Sequence, residues 1–240
     1  NFTDAILLDN TSKGHQYSIT GELEKQFQSG FYAKLAYTYN RAKNVNNGTS
    51  SQARSNWIYN ENVDVNNPGL GTADFERRHR ILGVLSYRAE YADRFATTFS
   101  LIYDGRSGTP YSWIYSGDAN GDGQFDNDLI YVPASQDEVV LVSDNWNEFD
   151  SWIEGEDDLA DARGEHIDRN TAREPWTNWL DFKVSQEIAT FGGQSLELSA
   201  SVINALNLLN SEWGVRKGVS YNNHQAIYFR EYVDADFIAE

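Results

Sequence analysis

The sequence predicts an all-β fold: a transmembrane antiparallel β-barrel segment of about seven or eight long strands, with long loops on one side. Three observations support it. Long stretches alternate apolar and polar residues, short and long connections alternate between them, and aromatic residues make up 14% of a chain whose mean hydropathy is only −0.60. Outer-membrane barrels need aromatic side chains at both membrane interfaces, whereas an acidic soluble protein rarely contains so many.

The predicted strands follow from a period of two in the hydrophobic pattern. In 30–40, Phe31, Leu35 and Tyr37 fall on one face, and Lys34 falls on the other. Alternation alone also fits a soluble β-sandwich. Several stretches reach ten or more residues, which suits a tilted membrane strand of about 9–11 residues better than the 5–6 typical of soluble sheets. The clean candidates are 15–27, 30–40, 179–188 and 195–202, the partial ones 78–89 and 94–103, and the shorter ones 2–8 and 225–231.

The connections between these stretches alternate in length, as they do in outer-membrane barrels, where short turns face the periplasm and long loops face outward. Proline cannot donate a hydrogen bond to a strand ladder, and all four prolines fall in the long connections or at their edges. The short turns are 28–30, 90–94 and 190–194, and the predicted extracellular loops are 41–76, 104–175 and 209–223.

Charged side chains on the polar face of the strands predict a wet lumen. In a sandwich core such charges would cost several kcal/mol each unless they were paired. The solvated face of a soluble sheet is the alternative, but it does not explain the aromatic residues on the opposite face. The charges concerned are Glu22, Glu24, Lys34, Asp181, Lys183 and Glu187.

Composition and motifs exclude several functional classes. A net charge of −17 argues against nucleic-acid binding, and the absence of Cys rules out disulfides and thiolate metal sites. No apolar run approaches the ~20 residues of a membrane helix. The chain also has no Met, so we expect a processed form or a fragment. Its four histidines are scattered and no serine has a nucleophile-elbow context, so we expect no enzymatic activity.

The long connection 104–175 holds eighteen of the thirty-six acidic residues and only four arginines. Its apolar residues predict that it folds back on itself, with a short strand or hairpin near 129–142 and a helical turn at 156–163. Four of its aromatic residues are candidates for ligand contact, namely Trp113, Tyr115, Trp146 and Trp152.

Within this connection, SGDANGDGQFDNDLIYVP (116–133) has the spacing of an EF-hand-type calcium loop. Gly123 stands at position 6, where the turn needs glycine, but Leu129 stands at position 12 instead of a bidentate Glu. No flanking helix pair is evident, so Ca²⁺ is predicted as a structural staple rather than a signal; the alternative is that these residues only make turns. The candidate ligands are Asp118, Asn120, Asp122, Gln124 through its carbonyl, Asp126 and, as a substitute for position 12, Asp128.

The segment FERRHR (75–80) places three arginines around His79 at the base of a loop. We expect Arg77, Arg78 and Arg80 to pair with carboxylates of the lumen or loops, or with lipopolysaccharide phosphates.

Five segments together resemble the C-terminal barrel region of TonB-dependent outer-membrane transporters, in particular the Oar-like group of Bacteroidetes and myxobacteria, whose full chains carry a carboxypeptidase-regulatory-like domain. The resemblance spans about residues 15 to 230. The segments are GTSSQARSNWIYN (48–60), FERRHRILGVLSYR (75–88), SGTPYSWIYSGDANGDGQFDNDLIYVP (107–133), REPWTNWLDFKVSQEI (173–188) and VINALNLLNSEWG (202–214).

This resemblance implies a 22-stranded barrel closed around an N-terminal plug, which imports or handles a large ligand with energy relayed by TonB. Residues 1–240 would form the C-terminal part of that barrel. The implied partners are outer-membrane lipid and lipopolysaccharide, TonB through the plug, and a surface lipoprotein. Two alternatives remain open: a small self-closing barrel with a structural or adhesive role, in which 2–8 pairs with 225–231, and a secreted calcium-dependent adhesion or carbohydrate-binding domain.

Overall fold

The computed structural model describes residues 5–7 and 9–232 and contains twelve strands and four α-helices in that part of the chain. The strands are β1 (His15–Gln26), β2 (Phe31–Asn44), β3 (Gly71–Thr72), β4 (His79–Tyr91), β5 (Phe95–Arg106), β6 (Pro110–Ser116), β7 (Tyr131–Val132), β8 (Glu165–His166), β9 (Ala172–Arg173), β10 (Thr177–Ala189), β11 (Ser195–Val202) and β12 (Asn223–Tyr228). The helices are α1 (Ala53–Ile58), α2 (Trp146–Gly155), α3 (Asp157–Ala160) and α4 (Ala205–Leu209).

Six long strands form one antiparallel sheet in the order β1-β2-β4-β5-β10-β11, and β3 pairs with the end of β2. All six were predicted from the alternation of side chains, and the bounds predicted for β11 agree with the structure. The other bounds differ by a few residues; β2, for example, continues to Asn44. None of the helices in the described residues is long and apolar enough to cross a membrane.

The register of this sheet places its large apolar side chains on one common face. Leu85 lies opposite Leu101, and Phe99 lies opposite both Tyr87 and Val184. These side chains are unusually exposed, Leu23 to 76%, as a surface that faces lipid requires. The exposed members of this face include Tyr17, Ile19, Leu23, Phe31, Leu35, Tyr37, Leu85, Tyr87, Phe99, Leu101, Leu196 and Leu198.

All short connections lie at one end of the sheet and all long ones at the other. In the β4–β5 hairpin, Ala92 and Asp93 both have positive φ (52° and 53°), as tight hairpins with the right-handed strand twist require. In the β1–β2 hairpin, Gly30 has φ 89°, and a Cβ there would lie 2.4 Å from the carbonyl oxygen of Arg88. The alternation of turn lengths expected from the sequence is therefore confirmed.

The short strand predicted at 225–231 is present as β12, but it does not extend this sheet. β12 instead pairs in parallel with β6, in a small sheet that also contains β9. The apolar residues Ala226 and Ile227 pack against a core formed by the long connections. The alternating pattern of this segment therefore reflects burial on a protein core rather than exposure to lipid. The other short candidate, 2–8, lies largely outside the described residues, and 5–7 form no strand.

The long connections fold together at one end of the sheet. We call residues 45–78, 107–176 and 203–232 the loop assembly. Helix α2 begins at Asn145, whose side chain accepts a hydrogen bond from the Glu148 N–H and donates one to the Glu148 carboxylate. The helical turn expected at 156–163 is α3, but the strand near 129–142 is short and pairs β7 with β8. The buried core comprises Trp113, Ile114, Leu129, Ile130, Val132, Ile153, Leu159, Ile167 and Ala172.

Candidate functional site

The face of the sheet opposite the apolar one carries all six of the charges predicted to point into a lumen. The ammonium of Lys34 lies 2.9 Å from the Glu22 carboxylate and 3.9 Å from that of Glu24. A longer pair reaches across β5, since Arg88 of β4 lies 2.8 Å from Glu187 of β10. Two further contacts complete the set: Lys183 with Glu197 at 3.7 Å, and the Asp181 carboxylate accepting the Asn204 N–H at 2.8 Å. This face is therefore hydrophilic, and its opposite charges lie side by side.

At the base of the loop assembly, the carboxylate of Glu76 has no exposed surface and is surrounded by arginines. Its Oε2 accepts the N–H of Ala42 at 2.7 Å, and its Oε1 lies 3.3 Å from Arg78 and 3.8 Å from Arg41. Arg173, near the C-terminal end of the second long connection (107–176), also donates to Oε1. One carboxylate thus joins the end of β2 to both long connections.

The arginines of FERRHR largely pair with carboxylates, which is one of the two kinds of partner expected from the sequence. Arg78 pairs with Glu76, and Arg80 donates to both oxygens of Asp104 at 3.0 and 2.8 Å. Arg77 differs, because its Nη1 is buried without a hydrogen-bond partner and burial lowers the pKa of its guanidinium.

The calcium-type loop is held by its own backbone. The Asp118 carboxylate accepts the N–H groups of Gly121, Asp122 and Gly123 at 2.8, 3.1 and 2.9 Å. Gly121 and Gly123 have φ of 73° and 81°, which explains why glycine stands at both positions. The remaining contacts are those of Asn120 Oδ1 with the Asp122 N–H, Asp122 Oδ1 with the Gln124 N–H, and Asp126 Oδ1 with the Gly117 N–H, at 2.9, 2.8 and 3.1 Å.

Among the candidate calcium ligands, Asp128 is the one whose carboxylate has a buried oxygen without a hydrogen-bond partner. It is only 2% exposed; its Oδ2 accepts the N–H groups of Ala119 and Asn120, while its Oδ1 has no partner. Burial raises the pKa of this carboxyl, and the nearby charges of Asp122 and Asp118 raise it further. A hard cation would relieve this orphaned oxygen. However, the residues that the structure describes contain no group of three or more carboxylate or imidazole side chains placed to hold a metal ion.

The four aromatic candidates for ligand contact occupy different environments. Trp113 is buried in the core of the loop assembly, and its Nε1 donates to Asp158 at 2.7 Å. Tyr115 is half-buried, and its hydroxyl accepts the Tyr131 N–H. Trp146 and Trp152 are partly exposed on α2, where both pack against Phe149. Trp113 is therefore a core residue, whereas the other three present part of their aromatic surface.

Sequence reasoning missed a buried network that joins the first and second long connections. Arg169 is buried; its Nη2 donates to the carbonyl oxygen of Asn44 at 2.6 Å, and its Nη1 donates to Asn60 Oδ1. The next residue, Asn170, donates to the carbonyl of Thr72 at 2.8 Å. Partners as much as 125 positions apart leave no local signal, so the sequence could not have revealed this contact.

The comparisons with known proteins agree with this architecture. A family model described as an outer membrane beta barrel domain matches residues 1–213. No curated protein and no solved structure matches the chain. The apolar outer face, the paired charges on the opposite face and the alternating connections are the features of such a domain. The chain therefore belongs to the outer membrane beta barrel domain family, and its place is the outer membrane of a Gram-negative bacterium.

Proposed function

We propose that the chain forms the barrel portion of a TonB-dependent outer-membrane transporter, which takes up or handles a large ligand with energy relayed by TonB through a plug domain. The loop assembly would face the cell exterior, next to lipopolysaccharide and a surface lipoprotein. The chain would bind and transport, with no catalytic role.

The unpaired edges of the sheet carry this proposal. In the described residues, β1 and β11 each have one edge without a partner strand. Hydrocarbon tolerates no open sheet edge, and the smallest outer-membrane barrels have eight strands. Six strands therefore need others to close, and a wide barrel accommodates the charged inner face. The resemblance to the transporter family supports the same conclusion.

Binding of TonB is the direct test. The full-length outer-membrane protein, purified in detergent, should retain the purified periplasmic domain of TonB and lose it in competition with a soluble TonB-box peptide. Failure to retain that domain would reject energy coupling and favour a small structural or adhesive barrel.

Cysteine labelling tests the width of the lumen separately. The described chain has no Cys, so Ser100→Cys on the polar face and Leu101→Cys on the apolar face are matched probes one residue apart. In outer-membrane vesicles a water-soluble maleimide should modify Ser100→Cys and leave Leu101→Cys unmodified, because only the first faces water. An eight-stranded barrel is just filled by its inward side chains, so protection at both positions in protein from which the plug domain has been deleted would contradict a wide lumen.

We further propose that residues 118–128 bind Ca²⁺ through the carboxylates of Asp118, Asp122 and Asp128, together with oxygens of Asn120, Gln124 and Asp126. The regular donor spacing and the orphaned Oδ1 of Asp128 support this. Bound Ca²⁺ would offset the repulsion among these carboxylates and hold the loop in shape.

The calcium proposal predicts that Ca²⁺ titrated into chelated protein gives a measurable heat and raises the melting temperature. At a hundredfold excess over Kd, the stabilisation should be about 2.7 kcal/mol. Asp118→Ala or Asp128→Asn should abolish both effects. Asp137→Asn is the control, because it removes an exposed charge from the same connection outside the motif. Absence of heat together with an unchanged melting curve would reject the site.

A further inference from the structure

A polar cleft of about 320 Å³ lies within the loop assembly and adjoins the end of the calcium-type motif, since Leu129 is part of its lining. One wall comes from the first long connection, residues 61–71, and the other from residues 166–169 of the second. Its charged lining contains three carboxylates, one imidazole and one guanidinium. The polar residues that line it are Glu61, Asn62, Asp64, His166, Asp168 and Arg169.

Glu61 is a buried carboxylate without a close counter-charge. It is 8% exposed, and its side chain accepts one long hydrogen bond, 3.4 Å from Asn223 Nδ2. The guanidinium of Arg169 lowers the pKa of Glu61 only in part, because its Nη atoms are committed to Asn44 and Asn60. Burial, with the nearby charge of Asp74, raises the pKa of Glu61 to about 7. A cation in the cleft would stabilise its ionised form.

Asn62 supplies an independent sign of a missing donor. This residue is 3% exposed, and its Oδ1 has no hydrogen-bond partner, although its other polar groups are satisfied. Its Nδ2 donates to the carbonyl of Asn60, and its backbone pairs with Asn127 and Leu129. A buried acceptor without a donor is costly, so this wall of the cleft is incompletely satisfied in the structure.

The lining selects among ligand classes. Three carboxylates and an amide oxygen require a ligand rich in donors, and a protonated primary amine offers three N–H donors with a positive charge. A neutral sugar would leave the charge of Glu61 uncompensated.

We propose that this cleft binds a primary ammonium group of a peptide, either its N-terminus or a lysine side chain, with the buried Glu61 carboxylate as acceptor and the exposed carboxylates of Asp64 and Asp168 adding negative charge. The second long connection, with eighteen acidic residues in 104–175 against four arginines, would attract such a cation. Binding of a peptide in this cleft does not require TonB coupling.

Calorimetry on the full-length protein in detergent, with three small peptides, tests whether the cleft binds an ammonium group. Trialanine amide presents a free N-terminus, N-acetyl-Ala-Lys-Ala amide presents only a lysine ammonium, and N-acetyl-trialanine amide presents neither. We expect at least one of the first two to bind and the third not to; which one binds identifies the source of the ammonium. Binding of none, or equal binding of the third, would overturn the proposal. TonB is absent from this assay, so its result is independent of the TonB retention test.

The variant Glu61→Gln keeps the shape of the side chain and removes its charge, and it should weaken binding at least about tenfold. Asp137→Asn is again the control and should bind like the parent. If a melting curve shows that Glu61→Gln does not fold, Asp64→Asn combined with Asp168→Asn takes its place, because both of those carboxylates are exposed. Unchanged affinity in a folded variant of either kind would overturn the proposal.

The pH dependence provides a second measurement. Because burial raises the pKa of Glu61 to about 7, the carboxylate becomes ionised between pH 6 and 8, and affinity for the lysine peptide, whose ammonium stays protonated, should rise over that interval. Glu61→Gln should flatten the profile. His166 lines the same cleft, so His166→Gln is measured in parallel. A profile flattened by His166→Gln but not by Glu61→Gln would contradict the role of Glu61.

Discussion

Replacing Glu76 by Gln is expected to lower the free energy of unfolding of the loop assembly by about 3–5 kcal/mol, the usual cost of breaking a buried ion pair by removing one partner. The carboxylate is completely buried and faces Arg41, Arg78 and Arg173. Gln keeps the volume and one acceptor, but it removes the negative charge and places N–H donors towards guanidinium groups. Three cations would then share a site with no counter-charge.

Thermal melting and limited proteolysis of the full-length protein would measure this loss, with cleavage expected first in residues 45–78. The matched control is Glu90→Gln near the opposite end of the sheet. Glu90 lies 3.0 Å from Arg88 but its side chain is 73% exposed, so its pair is expected to contribute about 0–1 kcal/mol. Equal effects of the two substitutions would show that the Glu76 cluster does not anchor the loop assembly.

Replacing Trp113 by Ala is expected to cost about 3–5 kcal/mol, as for other buried aromatic side chains. Trp113 packs edge-on against Tyr111, Trp152 and His224, with ring centroids 5.3, 5.7 and 5.0 Å away. The change would also leave the half-buried Asp158 carboxylate without its indole donor. Loss of near-ultraviolet circular dichroism at a lower temperature than in the parent would report the opened core.

Trp146→Ala provides the comparison for Trp113→Ala. Trp146 is partly exposed and contacts Phe149 at a centroid distance of 5.9 Å, so a much smaller loss of stability is expected. If both substitutions shifted the melting temperature equally, the assignment of Trp113 to the core would be wrong.

The barrel sheet was predictable because its determinants are local. Successive side chains of a strand point to opposite faces, so a strand between lipid and water must alternate, as 195–202 does in β11. The segment 225–231 shows the limit of the same rule. Alternation reports that one face is apolar, but it does not distinguish lipid from a protein core, and β12 lies against a core.

The candidate site was predictable only in part, for the same physical reason. The turn around Gly123 follows from residues within a few positions of each other, and its Asp and Asn side chains bind the adjacent backbone. Glu61, Glu76 and Arg169 are held by partners that lie far away in the chain, such as Ala42, 34 positions before Glu76. Nor could the sequence distinguish a tryptophan that fills a core, such as Trp113, from one that presents aromatic surface, such as Trp146.

The parallel pairing of β12 with β6 has a consequence for the order of assembly. It joins segments more than a hundred residues apart, as does the bond from Arg216 to Thr109, which spans 107 positions. Contacts with so large a loop-closure entropy form late. The β1–β2 and β4–β5 hairpins can insert early, since each pairs neighbours in the chain. The loop assembly is therefore completed last, once the β10–β11 hairpin has crossed the membrane and brought β12 into place. A chain arrested before that step would have its sheet in place but an incomplete loop assembly.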